Sequence, residues 1–359
     1  MAGGLYNNMH KEFSFGNKKI GVGHPTFIIA EAGVNHNGDI ELAKQLVTAA
    51  KLVGADCVKF QTFTAEHLVT QGAPKAAYQL QVTDPGESQE TMLRNLQLKP
   101  EEYTELMAAC AKAGILFMST PYNFVDVDFL ESLGVQAYKL ASMQLTELPM
   151  VEYVAKKGKP IIMATGMTVL SDSIAAAETC AKAGNEDIVI LQCTTNYPSH
   201  IEDANLLTIR TIADATGALV GFSDHTTGIE APVLSVAAGA CVIERHFTLD
   251  KNLPGPDHSS SSDPKEFAEM VRRVREAEVI LGSAEKKITA REALNVKGMK
   301  RSLASMGAIP AGTVITAEMI DFKRPMTGLA PNRYHEVLGK KTRRDIPSNT
   351  TIVDEDVVW

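Results

Sequence analysis

Apolar runs of strand length recur along the chain, beginning at Phe27-Ile-Ile-Ala, Cys57-Val-Lys-Phe, Ile115-Leu-Phe-Met, Ala137-Tyr-Lys-Leu, Pro160-Ile-Ile-Met, Ile188-Val-Ile-Leu, Leu219-Val-Gly-Phe and Cys241-Val-Ile-Glu. Between them lie stretches of helical periodicity, among them residues 40–53, 100–113, 171–183 and 264–281, followed by a glycine stop at Gly54, Gly114, Gly184 and Gly282. Near-continuous apolar strands alternating with helices belong to a parallel sheet covered on both faces. Eight such strand–helix units predict a closed (β/α)8 TIM barrel. An open dinucleotide-binding sheet would need a Gly-rich turn after its first strand, and here that strand runs into Glu31-Ala-Gly-Val-Asn-His36. Ahead of the barrel, residues 13–26 read as a short hairpin turning at Gly16-Asn17.

The pattern changes after Leu281. Residues 284–299 are charged and lack strand character, so they read as a linker between a first domain, 1–283, and a last one, 300–359. The last domain has short segments and frequent turns. Its phrase Ile309-Pro-Ala-Gly-Thr-Val-Ile is echoed by Ile346-Pro-Ser-Asn-Thr-Thr-Ile, which predicts paired turns in a compact β-rich module. About sixty residues is a marginal size for independent stability, so such a module is expected to dock against something. Residues 63–99, after the second strand, form a connection much longer than the others, either a lid or specificity element or a plain excursion.

Composition narrows the function classes. Hydrophobic residues at 45% and charged residues at 22% are ordinary for a globular enzyme. A net charge of -8 argues against a general grip on nucleic acid, but not against a small anionic substrate. The five cysteines (Cys57, Cys110, Cys180, Cys193, Cys241) lie in apolar runs without a CxxC pair, the pattern of reduced buried thiols. Neither a leader signal in residues 1–8 nor an apolar run long enough to span a membrane is present, and the expected location is the cytoplasm.

The chemistry gathers at the ends of the strands, where a barrel carries its active site. His225 and His246 each close an apolar run, and Pro254-Gly-Pro-Asp257-His258 forms a tight polar turn beyond them. Two imidazoles meeting at strand ends suit a divalent metal; satisfied histidines at a barrel rim are the plainer alternative. Lys59 and Lys139 each sit inside an apolar strand and would point into the barrel mouth, where an unpaired ammonium is costly. An anion, a phosphate or carboxylate with Thr120 and Ser142 as hydroxyl donors, is the favoured partner. Internal salt bridges with Glu31 or Glu244 are the alternative.

Taken in order, these motifs resemble the sialic acid synthase family, the N-acetylneuraminate synthases and their legionaminate and pseudaminate relatives. The resemblance covers nearly the whole chain: Ile-Ala-Glu31-Ala-Gly-Val-Asn-His-Asn-Gly, Val-Lys59-Phe-Gln61, Ser-Thr120-Pro, Tyr-Lys139-Leu-Ala-Ser142, Thr-Gly-Met167, Gln-Cys-Thr-Thr195-Asn-Tyr197-Pro, Gly-Phe-Ser223-Asp-His225, Ile-Glu-Arg-His246-Phe-Thr and Pro-Gly-Pro-Asp257-His. The tail resembles the family's antifreeze-like (SAF) module, with Arg324 where that module has its sugar-binding arginine.

The resemblance implies a reaction in which phosphoenolpyruvate condenses with the open-chain aldehyde of an N-acylaminohexose, such as N-acetylmannosamine or 2,4-diacetamido-2,4,6-trideoxymannose, and phosphate leaves by C–O cleavage. Lys59, Thr120, Lys139, Ser142, Thr165, Thr195 and Ser223 are then the phosphoenolpyruvate-binding residues. His225 and His246 hold Mn²⁺ or Mg²⁺, with Glu31 for proton transfer or a sugar hydroxyl and Glu244 a second choice. Gln61, Tyr197, Asp257 and Arg324 face the sugar. In that family the arginine arrives from the partner subunit, so the resemblance implies a domain-swapped homodimer.

Some positions depart from the family's pattern. Ala164 stands where a phosphate-binding serine is frequent, leaving Thr165 as the substitute; Gln144, Thr195 and Gly298 replace an acidic residue, an asparagine and an aromatic. These positions leave the sugar open, although residues 75–93 look closer to legionaminate synthases. The competing readings are another phosphoenolpyruvate–aldose barrel of the KDO-8-phosphate or DAHP synthase kind, which lacks an SAF tail, and a non-catalytic glycan- or ice-binding protein, which would have no use for two lysines and two histidines at the mouth.

Overall fold

A computed structural model describes residues 9–76 and 78–359; residues 1–8, read above for a leader signal, lie outside the described residues. The chain forms two compact units that divide between Gly282 and Ser283.

The first unit opens with a hairpin, β1 (Glu12–Phe15) and β2 (Lys18–Gly21), paired antiparallel around the predicted turn. Eight parallel strands follow: β3 (Phe27–Gly33), β4 (Cys57–Thr62), β5 (Leu116–Pro121), β6 (Tyr138–Leu140), β7 (Ile161–Ala164), β8 (Ile188–Cys193), β9 (Leu219–Asp224) and β10 (Val242–His246). Their ladder runs β5-β4-β3-β10-β9-β8-β7-β6, and β5 and β6 pack beside each other, so the sheet is a nearly closed barrel. All eight predicted strands are present.

Residues alternate between two cores, as the period-two geometry of a strand requires. Ile28, Val58, Phe117, Ile161, Ile190 and Ile243 face the surrounding helices. Ile29, Cys57, Met118, Ile162, Val189, Leu219 and Val242 fill the barrel interior, and Phe13, Phe15 and Ile20 of the hairpin belong to this inner core. Burying Phe15 and Ile20 completely, at 1% and 0% exposure, is worth roughly 1.5–3 kcal/mol each. The apolar interior accounts for only one level of each strand. One step further along, the inward positions turn polar.

The helices sit where their apolar spacing placed them, including Ile40–Leu52, Pro100–Ala113, Leu170–Lys182 and Pro264–Leu281. Gly114 caps the second in the left-handed region at φ 69°, which a side chain would strain. Residues 63–99 hold three short helices, Ala65–Leu68, Gln79–Val82 and Gln89–Leu96. No helix among the described residues is long and apolar enough to cross a membrane.

The second unit takes in the whole stretch read as a linker, 284–299, in which Ala290–Met299 is helical. The Thr289 hydroxyl accepts from the Glu292 amide and the Glu292 carboxylate from the Thr289 amide, a capping box that the charged composition concealed. The rest is β-rich as expected, with β11 (Ser302–Ser305) against β12 (Ile320–Lys323) and β13 (Lys341–Thr342) against β14 (Val357–Val358). The pseudo-repeat pairs with itself: the Ile309 and Ile346 amides each donate to the other's carbonyl at 2.8 Å. Leu303, Ile309, Ile315, Ile320, Ile346 and Ile352 form this unit's own core.

Candidate active site

The polar inward positions converge at the C-terminal mouth of the barrel on a cavity of about 400 Å³. Its size falls within the usual range for small-molecule sites, about 300–1,000 Å³. Glu31 comes from β3, Lys59 and Gln61 from β4, Thr120 from β5, Lys139 from β6, Ser223 from β9, and Glu244 and His246 from β10. Ser142, Tyr197, His225 and Asp257 follow the ends of their strands and complete the lining.

Two lysines and two glutamates lie at the floor, all of them buried. The Lys59 ammonium is 2.6 Å from the Glu31 carboxylate and donates to the Thr120 hydroxyl at 3.2 Å. Glu244 lies between the lysines, 3.7 Å from Lys59 and 3.5 Å from Lys139. The internal salt bridges set second in the sequence analysis are therefore present. Parallel register places Glu31 opposite Lys59, and residue spacing alone could not reveal that. The second Glu244 oxygen is buried without a partner.

Burial raises the Glu31 pKa more than Lys59 lowers it, so the carboxyl is held above its usual range. Burial also raises Glu244, but Lys139 and Lys59 outweigh it and leave its pKa lowered. Lys139 is shifted down by burial, which Glu244 only partly offsets. The floor thus contains one carboxyl whose pKa is raised, one whose pKa is lowered, and an ammonium that burial disfavours. Such groups, displaced in different directions, are suited to moving protons.

The histidines stand beside this floor, with ring centroids 5.3 Å apart. Nδ1 of His225 is 2.7 Å from the Thr194 carbonyl oxygen, to which it donates, leaving Nε2 as a lone pair. Burial lowers the His225 pKa, but Cys193, 3.9 Å from the same Nδ1, and the Thr194 carbonyl raise it further. Nδ1 of His246 is buried without a hydrogen-bond partner, 3.7 Å from the Asp257 carboxylate. Burial and the neighbouring His225 hold His246 well below the usual pKa, in the neutral form that binds metal. An orphaned imidazole nitrogen beside a second imidazole fits a divalent ion, which would displace any proton from His225. No group of three or more His, Cys, Asp or Glu is clustered for a metal among the described residues, so water or substrate would fill the remaining positions.

Tyr197 packs against both imidazoles, 4.2 Å from the His225 ring and 5.5 Å from His246. Gln61 donates to Glu31 at 3.2 Å and accepts from Tyr122 at 3.2 Å. Burial, followed by the charge of Glu31, pushes the Asp257 carboxyl up to about 7.

Two predicted site residues line a neighbouring cavity, and a third belongs to the second unit. Thr165 and Thr195 line a separate cavity beside Met167 and Asn205. Thr165 follows Ala164, which does line the main cavity; the next residue turns away, and its hydroxyl donates to the Leu191 carbonyl at 3.0 Å. Thr165 is therefore no substitute for a serine at 164. Thr195 and Ser142 bring their hydroxyls to the same face of Gly166, where a side chain would stand, and the Ser142 hydroxyl accepts from the Gly166 amide at 3.0 Å. Arg324 is exposed at the end of β12 in the second unit.

The sequence reading also passed over residues that line the site. Tyr122 and Cys193 are at strand ends, where position alone could have singled them out. Tyr78, Gln79, Gln89 and Met92, which form one wall, lie in the segment noted for its length and its likeness to legionaminate synthases, but no site role was assigned to them.

Residues 46–286 match the NeuB family and residues 300–358 match the SAF domain. The N,N'-diacetyllegionaminic acid synthase of Legionella pneumophila is 43% identical over 336 residues, spanning 92% of this chain and 94% of that protein. The N-acetylneuraminate-9-phosphate synthase of Homo sapiens is 36% identical, over 94% of each chain. The crystal structure of an N-acetylneuraminic acid (sialic acid) synthetase from Leptospira borgpetersenii in complex with citrate superposes with a TM-score of 0.72 at 32% identity, covering 81% of this chain and 96% of that one. With a barrel mouth built from these residues and a match across most of its length, this chain belongs to the NeuB family of sialic acid synthases, in its barrel-plus-SAF form.

Proposed function

We propose that the enzyme condenses phosphoenolpyruvate with the open-chain aldehyde of an N-acylaminohexose to give a nonulosonic acid and inorganic phosphate. The observation that supports this most strongly is the meeting of two buried lysines and two histidines in one cavity at the barrel's C-terminal mouth. Lys59 and Lys139 take the anionic groups of phosphoenolpyruvate, with Thr120, Ser142 and Ser223 as hydroxyl donors. The enol carbon forms a bond to the aldehyde carbon, water adds to C2, and the C2–O bond to phosphate breaks. Glu31, whose carboxyl burial shifts toward the protonated form, is the group to supply the proton that the aldehyde oxygen takes up. Gln61, Tyr197 and Asp257 orient the sugar.

His225 and His246 are the residues to hold a divalent ion, Mn²⁺ or Mg²⁺, which when bound supplies Lewis-acid polarisation of the aldehyde oxygen. We further infer a homodimer in which Arg324 of the partner subunit meets the sugar's N-acyl group. Ile280, 83% exposed, and Leu294, 84% exposed, are large apolar side chains suited to an interface. Five free, buried cysteines support a reducing, cytoplasmic setting.

The test is to incubate the purified protein with phosphoenolpyruvate, Mn²⁺ and each of N-acetylmannosamine, its 6-phosphate and 2,4-diacetamido-2,4,6-trideoxymannose, and to follow phosphate release. Release that depends on a sugar is expected. Its absence with every sugar would overturn the proposal.

A further inference from the structure

The cavity has two unlike halves. Its floor is the charged cluster of lysines, glutamates and histidines. Its outer wall, drawn from residues 68–96, is uncharged among the described lining residues: Tyr78, Gln79, Gln89, Met92, Leu93 and Leu96 are what it presents.

The basic residues of that segment are already engaged. Lys75 donates to the Thr83 hydroxyl at 3.0 Å, the Asp84 carbonyl at 2.8 Å and the Glu87 carboxylate at 3.2 Å, which uses all three ammonium protons. These bonds tie the segment to itself. Arg94 is exposed and paired with Glu66 at 2.6 Å and Glu90 at 2.9 Å.

No ammonium or guanidinium therefore stands on this wall to meet a second phosphate. A dianion placed against Met92 and Leu93 would lose its hydration without a counter-charge on the wall. The wall is equally specific in what it offers. The Gln79 carbonyl accepts from the Ala76 amide at 2.9 Å and from Gln89 at 3.4 Å, leaving the Gln89 carbonyl as an acceptor. Tyr78 stacks on Tyr197 at 4.9 Å and links the wall to the histidines. A neutral amide beside aliphatic side chains suits a methyl or acylamino substituent.

We infer that the 78–96 wall restricts the enzyme to N-acylated aminohexoses uncharged at the end remote from the aldehyde. Gln89 and Met92 are the specificity-determining residues that meet that end. This rests on the condensing reading above and sharpens it, because it excludes a sugar 6-phosphate as the substrate.

The test compares kcat/KM for N-acetylmannosamine, its 6-phosphate and 2,4-diacetamido-2,4,6-trideoxymannose at saturating phosphoenolpyruvate. The wild type should favour at least one unphosphorylated sugar over the 6-phosphate by about tenfold or more. Gln89→Arg, which places a cation on the wall, should narrow that ratio through the sugar's KM and leave the KM for phosphoenolpyruvate unchanged. Met92→Ala should raise KM for the trideoxy sugar and not for the 6-phosphate. A wild-type preference for the 6-phosphate, or folded variants with unchanged ratios, would overturn this inference and leave the condensing reading intact. No phosphate release with any of the sugars would overturn both.

Discussion

Glu31 and Lys59 are Cα partners across neighbouring parallel strands, and their side chains meet at 2.6 Å inside the barrel mouth. With Glu244 and Lys139 they form a buried set of two lysines and two carboxyls, in which each lysine answers a carboxyl until substrate arrives. Such a set is a weak source of net stability but costly to break from one side, because a lone buried charge has no water to return to.

Lys59→Ala should therefore lower stability by about 3–5 kcal/mol and abolish activity. The double variant Lys59→Met with Glu31→Leu removes both charges and should recover most of the stability while remaining inactive. Thermal denaturation and phosphate release measured on the same preparations separate the two effects. A double variant no more stable than the single one would show that the pair is not the reason.

The histidines make a second prediction. His225→Ala and His246→Ala should each weaken Mn²⁺ binding by about 10-fold or more, measured by titration calorimetry. Chelation with EDTA should stop phosphate release, and added Mn²⁺ should restore it. Undiminished metal binding in both variants would move the ion elsewhere.

Stability in acid should depend on His36. This histidine is 1% exposed, and its Nδ1 accepts from the Gly38 amide at 3.1 Å, which only the neutral ring can do. Burial lowers its pKa from 6.5 to about 4. The unfolded chain then binds more protons between pH 4 and 6.5 than the folded one, so stability rises with pH through that window and is fully present above it. The shift corresponds to a loss of about 3 kcal/mol on going from neutral pH to pH 4. His36→Gln should flatten that part of the curve of melting temperature against pH, and an unchanged slope would contradict the assignment.

Arg324 offers a test of the dimer. Arg324→Ala should raise KM for the sugar about 10- to 100-fold, the worth of a charge-assisted hydrogen bond. Co-expressed with Lys59→Ala, it should regain activity, because one mixed site then has an intact barrel and an intact arginine. No regain in a mixed dimer purified through two tags would place Arg324 in its own subunit's site.

The fold was legible because strands buried on both faces read as apolar runs, and because the interruptions at Lys59, Lys139, Glu244 and His246 fall on the inward side of each strand. What was hidden depends on tertiary register. The sequence offered Glu31 and Glu244 as possible partners of the two lysines but could not pair Lys59 with Glu31, since a helix separates them along the chain. Thr165 was misplaced by a single step of strand alternation. The helix Ala290–Met299 buries no residue, so it lacks the apolar stripe that reveals a helix, and only its capping box could have betrayed it. The uncharged wall became visible once the segment was folded over the mouth.

The measurement that bears most directly on the proposed reaction follows the bridging oxygen of phosphoenolpyruvate. With oxygen-18 between C2 and phosphorus, the enzyme, Mn²⁺ and an accepted sugar should release phosphate that carries the label in equal amount to the condensed product, because the C2–O bond is the one that breaks. Phosphate without the label, or labelled phosphate formed at the same rate when no sugar is present, would contradict the account.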